Sequence, residues 1–139
     1  MQRSDAVERR KASPDDLAIL AVDDEEDLAA AVAASLGGRG YRVRVEADGP
    51  RGLAAARAER PDLVVLDYEL PEMDGLQVLA ALRADAATRT VPVLLCTASK
   101  VSVQEMRKAD GFLAKPYQED LLFEMVERLL AKARQEAQR

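Results

Sequence analysis

The chain has 139 residues, the length of one domain, and its 48% hydrophobic content is enough to bury a real core. A net charge of −5, from 20 basic and 25 acidic side chains, favours solubility and argues against a strongly basic nucleic-acid surface. The single cysteine, Cys96, excludes an internal disulfide, and no signal peptide or apolar span of about 20 residues is visible, so a cytoplasmic protein without membrane or nucleic-acid partners is expected.

Residues 1–16 are charged, nearly free of large apolar side chains and interrupted by Ser13-Pro14, which predicts a flexible N-terminal arm. The run Leu17–Val22 reads as a buried strand that ends in the acidic cluster Asp23, Asp24, Glu25, Glu26 and Asp27. Leu28, Ala31, Val32 and Leu36 follow at helical spacing, and Gly37, Gly38 and Gly40 stop that helix. Tyr41–Glu46 alternates apolar and charged residues, as an edge strand with one open face does. Asp48-Gly49-Pro50 makes a turn, and the Ala-rich stretch Gly52–Arg60 reads as a small helix closed by Pro61.

Leu63–Leu66 is apolar throughout, suits a central strand covered on both sides, and ends in Asp67. After Pro71 and Gly75, the residues Leu76, Leu79, Ala80 and Arg83 continue as a helix. Val91–Thr97 is a fourth strand, in which Cys96 reads as a core residue. Ser99–Ala109 is weakly patterned and allows only a short helix. Phe112–Ala114 is a brief strand ending at Lys115-Pro116, and Gln118 to about Ala133 is an amphipathic helix with Leu122, Met125, Val126 and Leu129 on one face. Five βα units with short right-handed crossovers predict an open, doubly wound parallel α/β sheet of order 2-1-3-4-5. The domain is expected over residues 17–133, with a polar tail at 134–139 that resembles a natural end.

In such sheets the ligand crevice lies beyond the carboxyl ends of the strands, which here carry Asp23, Asp24, Asp67, Thr97 and Lys115. Neighbouring carboxylates repel unless they share a cation, and oxygen-only ligands in a solvated site favour Mg²⁺. Asp67 can then act as a carboxylate nucleophile toward a phosphoryl group, with the cation and the Lys115 ammonium neutralising its oxygens. The chain has no histidine, so a phosphohistidine donor must be another molecule. Taken singly, the acidic run also fits a solvated helix start, and Asp67 also fits a turn opener.

In order along the chain, Asp23-Asp24-Glu25, Asp67 with Leu70-Pro71-Glu72-Met73-Asp74-Gly75, Thr97-Ala98, and Phe112 before Lys115-Pro116-Tyr117 resemble the receiver domains of two-component response regulators. The resemblance spans about Ala18 to Leu130 and implies a chemotaxis-type, flavodoxin-like (βα)5 fold and a phosphorelay role. It implies that Asp67 is the phosphoacceptor, that Asp24, Asp67 and the Glu69 backbone carbonyl bind Mg²⁺, and that Asp23 assists through water. Lys115 would contact the phosphoryl group, Thr97 would be the switch hydroxyl and Phe112 the switch aromatic. Glu69 and Ser99 would tune access of the hydrolytic water, and the Lys115–Pro116 bond would be cis. The Thr97–Lys115 interval is several residues shorter than in most members, so a shortened fourth helix is expected.

The implied function is a stand-alone, non-enzymatic receiver, monomeric or weakly dimeric, phosphorylated by a histidine kinase or phosphotransfer protein and read by an unknown downstream protein. A receiver fragment of a larger regulator is the alternative. An aspartyl-nucleophile phosphatase is disfavoured, because that family usually has its nucleophile after the first strand with a second Asp two residues on, where this chain has Glu69.

Overall fold

A computed structural model describes residues 17–138; the expected N-terminal arm lies outside the described residues. Five parallel strands form one sheet: β1 (Ala18–Val22), β2 (Arg42–Glu46), β3 (Leu63–Asp67), β4 (Val93–Thr97) and β5 (Gly111–Ala114). Their order is β2-β1-β3-β4-β5, with the alternating strand β2 at the margin as its pattern predicts. The intervening helices are α1 (Glu26–Gly38), α2 (Gly49–Glu59), α3 (Gly75–Ala84) and α4 (Val103–Met106), with α5 (Glu119–Ala137) last. This is the doubly wound arrangement expected of alternating βα units.

Successive residues of the central strands feed two separate cores. Ile19, Leu63, Val65, Leu94 and Cys96 pack with Leu36 of α1 and with Leu122, Val126 and Leu129 of α5. Leu20, Val22, Val64, Leu66, Val93 and Leu95 pack with Leu53 and Ala56 of α2 and with Val78, Leu79 and Leu82 of α3. Every residue of β3 and β4 is buried, which explains why their sequences show apolar runs instead of alternation.

Helix limits follow chemistry that hydropathy does not report. Asp48 caps α2 by accepting from the Arg51 amide at 2.8 Å, and Pro50 sits in the first turn, where its missing N–H is harmless, so α2 starts at Gly49 and not at Gly52. Asp74 and Gln77 form a reciprocal capping box that fixes the start of α3. That start sets the helix phase, so Val78, Leu79 and Leu82 are buried whereas Ala80 is exposed. In α1 only Ala29 and Leu36 are fully buried, and Leu28, the first of the apolar residues at helical spacing, is 43% exposed. Helix α5 runs four residues beyond Ala133, through part of the expected tail. Helix α4 is a single turn, capped by Ser102 and without a buried residue.

Candidate functional site

The sheet collects the predicted residues at one rim. Backbone hydrogen bonds extend the ladder past the strand ends: Asp23 N donates to Glu46 O at 3.0 Å, Tyr68 N to Cys96 O at 2.8 Å, and Lys115 N to Thr97 O at 2.8 Å. These bonds fix where the loops leave the sheet and hence where Asp23, Asp67, Thr97 and Lys115 lie. The Lys115–Pro116 peptide bond is cis. Gly75 lets α3 begin directly against the end of β3, because a Cβ there would lie 2.7 Å from both the Asp67 carbonyl oxygen and Tyr68 Cα.

Asp67 is 2% exposed, and its Oδ1 accepts from Lys115 Nζ at 2.8 Å. Its Oδ2 is buried without a hydrogen-bond partner. Lys115 Nζ also lies 3.7 Å from Asp23 Oδ2, while Asp23 Oδ1 accepts from the Glu25 amide at 3.0 Å. Burial drives the Asp67 carboxyl up to about 6; the Lys115 ammonium opposes that rise, and the Asp23 charge adds to it. Burial also acts on Lys115, pulling it down, but the Asp67 carboxylate outweighs it and holds the ammonium above its ordinary value. Asp23, Asp24 and Asp67 each present an oxygen, and these atoms lie within 4.8 Å of one another. Three hard oxygen donors and an unpartnered buried carboxylate oxygen fit a divalent cation of the Mg²⁺ type.

Thr97 is 1% exposed and donates its hydroxyl to the Glu69 carboxylate. That carboxylate also accepts from the Ala98 and Ser99 amides, each at 3.2 Å. Burial works to raise the Glu69 carboxyl, but the hydrogen bonds from Thr97, Ser99 and Ala98 prevail and hold it down at about 2. Sequence reasoning missed this role of the Glu69 side chain, because its partners lie 28 to 30 residues away across the sheet. Phe112 stands opposite Leu95 in the β4–β5 register and is partly buried against the α2/α3 core, on the sheet face opposite Cys96. Burial pushes the Cys96 thiol up to about 12, which suits a core residue and removes thiolate chemistry. An open groove of about 450 Å³ leads away from Asp23 and Lys115 between Leu28 and Val32 of α1 and Leu122 of α5. Among the described residues, no helix is long and apolar enough to cross a membrane.

Comparison with known proteins identifies the family. Residues 19–127 match the family described as "Response regulator receiver domain". The chain is 40% identical over 113 residues to the probable transcriptional regulatory protein TcrX of Mycobacterium tuberculosis, covering 78% of this chain and 47% of that one. It is 38% identical over 120 residues to the DNA-binding response regulator MtrA of the same organism, covering 84% and 50%. The chain thus spans about half the length of the curated relatives it matches. The expectation that it has no nucleic-acid partner gains no support from them, since MtrA is itself named as DNA-binding. Among solved structures, the chemotaxis response regulator CheY4 of Vibrio cholerae matches with a TM-score of 0.76 and 31% identity, over 81% of this chain and 98% of that one. With the family model matched from β1 into α5 and 98% of the CheY4 chain covered, the chain belongs to the response regulator receiver domain family.

Proposed function

We propose that Asp67 accepts a phosphoryl group from a phosphohistidine on a histidine kinase or phosphotransfer partner, and that the phosphorylated form is read by a further protein. The observation that carries this reading is the divided state of the Asp67 carboxylate: Oδ1 is held by Lys115 and Oδ2 is left without a partner. In the proposed step Oδ2 attacks phosphorus, a P–O bond forms as the donor's P–N bond breaks, and the released imidazole takes up a proton from water. Lys115 keeps the carboxylate oriented and shifts its charge toward the phosphoryl oxygens, while burial excludes competing water. Asp23, Asp24, Asp67 and the Glu69 carbonyl would hold Mg²⁺, which offsets charge on the phosphoryl oxygens when bound. Thr97 and Phe112 are the switch pair, and Glu69 and Ser99 bear on later loss of the phosphoryl group.

The groove beside Asp23 and Lys115 offers a partner side chain a route to the site from the cytoplasmic solvent. The functional unit is residues 17–133. The double length of TcrX and MtrA favours a second reading, in which this unit is the receiver part of a longer regulator and any DNA contact is made elsewhere. The deciding experiment is intact-mass measurement after treatment with acetyl phosphate and Mg²⁺. One phosphoryl adduct on the parent and none on Asp67→Asn is expected; equal labelling of that variant sinks the assignment.

A further inference from the structure

The groups that Glu69 holds form an anion cradle. Two successive backbone amides, Ala98 N and Ser99 N, converge with the Thr97 hydroxyl on one carboxylate, and both oxygens of that carboxylate are used. Ser99 N is shared, donating also to Thr97 Oγ1 at 2.9 Å, so the donors are linked to one another as well as to their anion. Consecutive N–H groups in a turn make a concave site of this kind, and bonds to an ionised acceptor are about twice as strong as neutral ones.

Position makes the arrangement consequential. Asp67 pairs with Cys96 in the β3–β4 register, so the cradle starts at the next residue along β4. Its occupant comes from the same loop as Asp67, two residues on. A phosphoryl group on Asp67 would therefore arrive beside hydrogen-bond donors that a tethered carboxylate already occupies.

We infer that Glu69 is a tethered competitor of the phosphoryl group: in the unmodified protein its carboxylate fills the Thr97–Ala98–Ser99 cradle, and it must leave before those donors reach phosphate on Asp67. This rests on Asp67 being the phosphoacceptor and adds what opposes its modification. The exchange keeps the donors satisfied in both states, so it trades one anion for another and leaves no buried donor orphaned. Its free-energy difference is small compared with the bonds exchanged, which is what a reversible switch requires. Glu69 thereby sets the threshold for activation as a positioning residue that acts through Thr97 and the loop amides.

The test uses the full chain with Mg²⁺ and beryllofluoride as the phosphoryl mimic, titrated by amide NMR, on the parent and on Glu69→Ala and Glu69→Asp. Aspartate keeps the charge but is one methylene too short to fill the cradle. Both variants are expected to bind the mimic roughly tenfold more tightly than the parent, the change that about 1.4 kcal/mol produces. In both, the Ala98 and Ser99 amide resonances are expected to move before any mimic is added. Tighter binding by Glu69→Ala with parental binding by Glu69→Asp would mean charge repulsion alone and overturn the inference, as would parental affinity in both. If the parent neither binds beryllofluoride nor is labelled by acetyl phosphate, the phosphoacceptor assignment itself falls.

Discussion

Asp67 and Glu69 sit two residues apart, and their surroundings push them in opposite directions. Burial lifts the Asp67 carboxyl from 3.8 to about 6 despite Lys115. A raised folded-state pKa contributes stability that is complete below the unfolded value, near pH 4, and that is lost as pH rises through 6. At pH 7 the ionised form therefore weakens the metal-free fold, by about 2–3 kcal/mol at 1.36 kcal/mol per unit. Asp67→Asn, measured by denaturant unfolding in a chelator, is expected to be more stable than the parent by up to that amount at pH 7 and to show no advantage at pH 4; equal stability at both would mean that the site is better solvated than its burial implies. Glu69 has the opposite sign. Its lowered carboxyl stabilises above about pH 4.5, and that contribution is lost as pH falls toward 2. The positions of Asp67, the Asp23–Asp24 pair and Lys115 were legible because each closes an apolar run, and strand ends are where such sheets place chemistry. The grip of Glu69 on Thr97 was not, since no local pattern records a bond made across the β3–α3–β4 crossover, between residues 28 apart.

Among the elements, α4 differs most from its neighbours. It is one turn long, buries nothing, and leaves Val103 57% exposed. An isolated turn is unstable in water, so α4 depends on the Ser102 cap, which accepts from the Glu105 amide at 3.1 Å, while Glu69 holds the Ala98 and Ser99 amides of the loop that leads into it. The segment Ser99–Asp110 is therefore expected to exchange its amide hydrogens faster than any other folded segment, and to gain protection with Mg²⁺ and beryllofluoride. Strong protection in the unmodified protein, unchanged on activation, would contradict this. The start of α3 is the rigid counterpart. A Cβ at Gly75 would press on backbone at 2.7 Å, and backbone cannot swing away as a side chain can. Gly75→Ala is expected to lose about 2–3 kcal/mol in denaturant melts and to slow labelling of Asp67 by moving its loop; a loss below about 0.5 kcal/mol would show that the loop yields freely. Strand identities were readable from composition, whereas helix phase was not. A two-sided apolar run has one interpretation, but the inward stripe of α3 depends on where the Asp74 and Gln77 cap starts the helix.

Taken whole, the topology was the most readable feature, since alternating strand and helix patterns with one alternating strand leave few unknotted arrangements. That topology joins the ends of β1 and β3, adjacent in the sheet, through Asp23, Asp24 and Asp67. A cation bound there bridges chain segments more than 40 residues apart. Binding that exists only in the folded state stabilises the entire domain, by about 2.7 kcal/mol when the ion is present at a hundred times its dissociation constant. For a domain of this size each kcal/mol raises the melting temperature by about 3 °C, so saturating Mg²⁺ is expected to raise Tm by roughly 8 °C. Asp24 is exposed, which makes it the cleanest of the three candidate ligands to remove. That variant is expected to melt near the metal-free parent and to lose most of the Mg²⁺ response. Asp120→Ala, an exposed acid in the first turn of α5, serves as the control and should keep the response in full. If both variants respond to Mg²⁺ like the parent, the ion acts on the general acidity of the surface and the carboxylates at the sheet rim do not hold it.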